Sequence, residues 1–241
     1  MATGTLSSFT IGGCGYVSRL VIRAPKLSKL GDGREFGITW CGSSFAGSTF
    51  DEWDLSGVTN VADNALRGSV NYQIKGTLHL PNVQTVGTNA FNCAVAMTGL
   101  VLGTNGLVLT SIADSAFSGA KALTDLTLGA KRLTLGSTLG SASVFAGLKN
   151  LAALHLPGPV LPQEQMDAIL SQVPASDAAK QTTIYASPLN DWGRLASPLT
   201  QTERALAPTN SFGVYRADSR KAWFVVERSP FERQATYIFL R

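Results

Sequence analysis

The chain has 241 residues, with 20 Lys and Arg against 16 Asp and Glu, for a net charge of +4. Its hydrophobic fraction of 44% is enough for a core, while its charged fraction of 15% falls well below the ~25% of a typical soluble domain. No apolar run is long enough to cross a membrane as a helix. The small basic surplus is split between the two ends, without the clustered stripe that marks a nucleic-acid site.

Residues 1–42 show no regular pattern and read as an irregular N-terminal cap. They carry Cys14 and Cys41, whose pairing the spacing leaves open. From residue 43 a short motif recurs: a small residue or Val, then Phe or Leu, any residue, then Gly or Cys. Its copies are Ser44-Phe45-Ala46-Gly47, Ala65-Leu66-Arg67-Gly68, Ala90-Phe91-Asn92-Cys93, Ala116-Phe117-Ser118-Gly119 and Val144-Phe145-Ala146-Gly147. The last residues of successive copies lie 21, 25, 26 and 28 positions apart, a period that points to stacked repeats. The Gly or Cys two residues after each Phe or Leu predicts a crowded position that admits only a small side chain. On that ground Cys93 reads as a buried free thiol.

A second pattern runs in phase with the first. Short alternating segments fall between the motifs: Trp53-Asp54-Leu55, Leu78-His79-Leu80, Leu100-Val101-Leu102, Leu126-Thr127-Leu128 and Leu154-His155-Leu156. A period of two sends the flanking apolar residues to one face and the central residue to the other. A Pro or Gly closes most of these strands. Further apolar pairs follow, Val58 with Val61, Val83 with Val86, and Leu109 with Ile112. One such unit has too little apolar surface to offset its chain entropy, so neighbours must stack and share a core. The expected architecture is a β-rich solenoid with clear repeats over 43–157. Phe45, Leu66, Phe91, Phe117 and Phe145 would form an internal spine.

These residues resemble a known family. The run apolar-x-x-apolar-small-x-x-Ala-Phe-x-Cys/Gly, then Leu-x-x-Leu-x-Leu, is similar to the BspA-like leucine-rich repeats of bacterial surface proteins. The clearest copies are Val83 to Cys93, and Leu109 to Gly119 with Leu123, Leu126 and Leu128. The resemblance spans Phe45 to Tyr185 and implies a curved solenoid of the α/β horseshoe class in an exported binding or adhesion protein. It implies no catalytic residues. The unequal spacings depart from the family's regular period, so the stretch from Lys131 to Ser143 is expected to bulge from the stack. Met1-Ala2-Thr3-Gly4 is not a signal peptide. The Gly, Ser and Thr content still fits export, to the medium or the cell surface, with the leader missing from this sequence.

Beyond Leu156 the repeat signal fades. Leu161 to Leu170 reads as a helix, Thr182 to Ala186 as one more solenoid strand, and Ser187 to Pro198 as a loop anchored by Trp192. Thr200-Gln201-Thr202-Glu203 is a capping box opening a short helix. Phe212 to Arg216 and Ala222 to Val226 read as a hairpin, with Thr236 to Leu240 as a further strand. The solenoid is thus assigned to 1–186, and a small α+β capping module to 187–241.

The strand centres supply the candidate binding residues: Asp54, His79, Thr127, His155 and Tyr185, all expected on the open face of the sheet. His79 and His155 fall three strands apart, or ~14 Å at a strand spacing near 4.8 Å, too far to share a metal. Asp51, Glu52 and Asp54 form an acidic trio without a calcium-binding loop and read as a solvated rim. No nucleophile elbow, zinc-protease helix, phosphate loop or dinucleotide fingerprint occurs. The expectation is a non-enzymatic protein with no cofactor, binding a protein or neutral glycan on a host or cell surface. Two rivals are a structural subunit that docks another protein, and an enzyme with its site in the C-terminal module near Asp191, Arg194 and Glu203.

Overall fold

A computed structural model describes residues 9–10, 19, 21–31, 36–37, 47–66, 74–92, 94–136, 144–145, 147–158, 182–186, 196–197, 213–217 and 222–226. The strands are β1 (Phe9–Thr10), β2 (Lys29–Leu30), β3 (Phe36–Gly37), β4 (Asn60–Val61), β5 (Thr77–Leu80), β6 (Thr85–Val86), β7 (Gly99–Leu102) and β8 (Ser111–Ile112). They continue as β9 (Asp125–Leu128), β10 (Thr134–Leu135), β11 (Ala153–Leu156), β12 (Thr182–Ala186), β13 (Ala196–Ser197), β14 (Gly213–Ala217) and β15 (Ala222–Val226). Among the described residues the helical structure is a single 3-10 turn, Phe50–Glu52. The architecture is a β-solenoid of parallel strands.

Each coil is dictated by its sequence in three segments. The first is the alternating strand, in which Leu78 and Leu80, Leu100 and Leu102, Leu126 and Leu128, and Leu154 and Leu156 are buried. These strands stack in parallel, and an eight-stranded sheet runs in the order β13-β14-β15-β12-β11-β9-β7-β5. The second segment is a two-residue strand, whose inward member is Val61, Val86 or Ile112. These build a second parallel sheet in the order β10-β8-β6-β4-β2. Between the two sheets lie Val58, Val83 and Leu109, the first members of the apolar pairs, all buried.

The third segment is a turn that brings the chain to the spine. Asn64, Asn89 and Ser115 sit there with φ of 57°, 53° and 56°. Asn and Ser reach this left-handed region because a short polar side chain can bond locally. The turn is followed by Ala65-Leu66, Ala90-Phe91 and Ala116-Phe117, all buried. Phe91 and Phe117 stack with centroids 5.8 Å apart and planes at 12°; Phe117 and Phe145 follow at 6.0 Å and 29°. All three rings are 0% exposed. The small residue after the spine has a visible cause at Gly147, where a Cβ would lie 2.2 Å from the Phe117 carbonyl oxygen. Phe45, Gly68 and Cys93 lie outside the described residues, as do Cys14 and Cys41.

Polar side chains tie one coil to the next. Thr59, Thr98, Thr110 and Thr124 donate from Oγ1 to the carbonyls of Ser28, Gly76, Gln84 and Thr98 at 3.2, 3.3, 2.8 and 3.1 Å. Asn82 Nδ2 donates to the Ser56 carbonyl at 2.7 Å, and Asn150 Nδ2 to that of Lys121 at 2.8 Å.

Two sequence expectations meet detail they did not contain. The segment Trp53-Asp54-Leu55 keeps its alternation, with Trp53 and Leu55 buried and Asp54 exposed. However, the 3-10 turn capped by Thr49 precedes it, and Asp54 forms only an isolated parallel bridge to Arg23. The hairpin of β14 and β15 is antiparallel, and β15 pairs in parallel with β12, so the main sheet runs on into the C-terminal segment. The helices expected at 161–170 and 200–206 and the strand at 236–240 fall outside the described residues. The α-helical side implied by the horseshoe class is not formed in the described coils, where the short strands β4, β6, β8 and β10 and tight turns take its place.

Candidate functional site

The outer face of the eight-stranded sheet is set by register. His79 pairs with Val101, Val101 with Thr127, Thr127 with His155, and His155 with Tyr185. The period-two strand that buries the leucines therefore lines these residues up in one outward column. His79 is exposed, and Val101, Thr127, His155 and Tyr185 are partly exposed. The register carries on from Tyr185 to Val225 and then to Val214. Asp54 stands apart from this ladder: its backbone N–H donates to the Ile22 carbonyl and its own carbonyl accepts from the Ala24 N–H.

The neighbouring column pairs Thr77, Gly99, Asp125, Ala153 and Thr183. Gly99 is buried here because Thr77 folds over it: a Cβ on Gly99 would lie 2.4 Å from Thr77 Oγ1. The glycine marks a place where two coils close on each other.

The rings of His155 and Tyr185 stack face to face, with centroids 4.5 Å apart and planes at 7°. The separation matches the strand spacing, so the two rings stand off the sheet like adjacent rungs. Their facing surfaces cover one another. The pair carries the imidazole nitrogens and the phenolic hydroxyl as its hydrogen-bonding groups. Thr127 adds a hydroxyl one strand away, and His79 lies three strand spacings from His155, ~14 Å along the column.

At the β5 end of the face the carboxylates are each engaged by a different partner. Asp51 Oδ2 accepts from Thr49 Oγ1 at 2.6 Å and from the Thr77 N–H at 3.2 Å. The Thr49 hydroxyl holds the Asp51 carboxyl below the usual carboxylate range. Glu52 is paired with Arg19, whose guanidinium lowers its pKa. Asp54 Oδ1 accepts from the Ser56 hydroxyl at 2.7 Å and from the Ser56 N–H at 3.2 Å, and its pKa is lowered by them. The trio does not converge on one point, and among the described residues no group of three His, Cys, Asp or Glu could hold a metal ion.

Asp191, Arg194 and Glu203 lie outside the described residues, and so does Trp192. Sequence reasoning missed the left-handed turn residues, although the signal was present: a short polar residue, Asn64, Asn89 or Ser115, stands two before each spine residue. It also missed the shared sheet of β12 and β15, for which no local signal exists. Among the described residues no helix is long and apolar enough to cross a membrane. No protein-family model, curated protein or solved structure matches the chain.

Proposed function

We propose that the protein is a non-enzymatic binding protein of the leucine-rich-repeat type, exported by a bacterium. Its ligand, a neutral glycan or a protein surface, is taken on the outer face of the long sheet. The family reading rests on the repeat motifs. The binding reading rests on one observation above the rest, the in-register column of His79, Thr127, His155 and Tyr185. These groups sit on hydrogen-bonded strands, so their spacing is set before a ligand arrives and little ordering entropy is lost on binding. The stacked ring pair adds detail: a ligand would be held by ring edges and hydroxyls rather than by stacking on an open ring face.

The test is the double variant His79→Ala with His155→Ala, and separately Tyr185→Ala, screened on immobilised glycans and cell-surface proteins at low and high salt. Binding lost in both variants and insensitive to salt supports the reading, since a neutral ligand is not screened. Binding that survives both changes and vanishes at high salt refutes it, and directs attention to the basic C-terminal segment. A docking role in an assembly is the second reading. It is favoured by the continuation of the sheet into β15, β14 and β13, since a strand at a sheet edge is a template for another chain.

A further inference from the structure

The sequence contains one Asn-Gly pair, Asn105-Gly106. It lies in the loop between β7 and β8, where Gly103, Gly106 and Leu107 all have positive φ, at 63°, 76° and 57°. Asn105 and Gly106 are both exposed. The Asn105 backbone N–H donates to the Pro81 carbonyl at 2.8 Å, but among the described residues nothing accepts the N–H of Gly106. A Cβ built on Gly106 would meet only Val108 Cγ1, at 3.7 Å, so the loop is open on the Cα side of this glycine. The Asn105 side chain is the outer rung of a ladder of amides. Its Nδ2 donates to Asn82 Oδ1 at 2.8 Å, and Asn82 Nδ2 donates in turn to the Ser56 carbonyl at 2.7 Å.

We propose that Asn105 is a site of spontaneous modification, deamidating through a succinimide formed with Gly106. The Gly106 nitrogen gives its proton to hydroxide and attacks Asn105 Cγ. A Cγ–N bond forms, the Cγ–Nδ2 bond breaks, and Nδ2 takes a proton from water and departs as ammonia, which regenerates the hydroxide. Water then opens the ring, at Cγ to leave aspartate or at the backbone carbonyl to leave isoaspartate. No oxidant or reductant is needed. The other described asparagines are less open to this chemistry. Asn60, Asn64, Asn82, Asn89, Asn92 and Asn150 all precede residues with a Cβ, which hinders approach of the following nitrogen.

The change would remove the Asn105 donor and set a carboxylate against Asn82 Oδ1. The amide ladder would then end one coil earlier. A negative charge would appear in the loop that follows β7.

The experiment is ageing of the full chain in mildly alkaline buffer, followed by proteolysis and mass spectrometry that separates aspartate from isoaspartate. The expected result is an amide-to-acid mass gain at Asn105, several-fold faster than at any other asparagine, with both products present. Asn105→Gln, whose longer side chain closes the ring poorly, should lose the signal at that position and slow the appearance of acidic protein. An Asn105 that stays an amide while another asparagine converts overturns the proposal. So does an acidic species that forms at an unchanged rate in Asn105→Gln.

Discussion

Removing the central ring of the spine tests how the coils hold together. Phe117 is 0% exposed and lies between two rings, Phe91 at 5.8 Å and Phe145 at 6.0 Å. Truncating a buried Phe to Ala costs ~3–5 kcal/mol, and the value depends on how far the surroundings collapse into the gap. Collapse is restricted here. The backbone of the next coil already touches the Phe117 carbonyl at Gly147, so it cannot move closer. Two ring pairs are also lost, each worth ~0.5–1.5 kcal/mol beyond its burial. Together these place Phe117→Ala at the upper end, ~4–5 kcal/mol. Phe91→Ala should cost less, since the backbone ladder places Leu66, not a ring, on its other side. Urea unfolding followed by circular dichroism measures both variants, and the double variant gives the coupling between them. In a linear array the damage is passed only to neighbouring coils, so the variant should also show a broadened transition. A loss under ~2 kcal/mol for Phe117→Ala, or a greater loss for Phe91→Ala, would refute the reasoning.

Three further outcomes follow from particular residues. Gly147→Ala places a Cβ 2.2 Å from the Phe117 carbonyl oxygen; it should destabilise by ~1–3 kcal/mol as an overpacked site, and an unchanged melting temperature would contradict the close approach. Asn89, at φ 53°, should tolerate Gly but lose ~1–2 kcal/mol on change to Ala, with chemical denaturation of the pair as the check. The depressed folded pKa of Asp51 means that its carboxylate stabilises the fold above the unfolded value of ~3.9, and that this contribution is lost as pH falls through the folded value. Asp51→Asn should therefore flatten the acid limb of an unfolding titration, whereas an identical limb would show that the bonds from Thr49 and Thr77 add nothing.

Much of the architecture could be read from residues because each coil repeats its chemistry. The leucines on either side of His79, Val101, Thr127 and His155 encode strand, face and inward direction at once, and equal phase between copies encodes register. The ring spine follows from the same phase. The second sheet was not legible, because strands of two residues such as Thr85-Val86 are too short to show alternation. The pairing of β12 with β15 depends on residues far apart in the chain, with β14 passed over, and no local pattern carries it. In the candidate site, the column itself could be written from sequence, but the mutual covering of His155 and Tyr185 could not. It depends on rotamers that only the packed face selects. Asp54 failed to join the ladder for a local reason: the Thr49-capped turn takes up the chain that would have extended the strand.

The side-chain bonds from Thr59, Thr98, Thr110, Thr124, Asn82 and Asn150 to backbone carbonyls share a direction. Every donor belongs to the later coil and every acceptor to the earlier one. A coil emerging during synthesis thus meets the acceptors for these six side chains already in place, whereas the Asn60 amide and the backbone N–H groups of Leu66 and Phe91 wait for the coil that follows. The stack has a grain, like shingles laid from one eave. Trimming coils from the C-terminal side removes donors and leaves behind carbonyls that water can satisfy. Trimming from the N-terminal side strips the acceptors from beneath a row of committed side chains. For these side-chain bonds, losses at the C-terminal end should be better tolerated than losses at the N-terminal end.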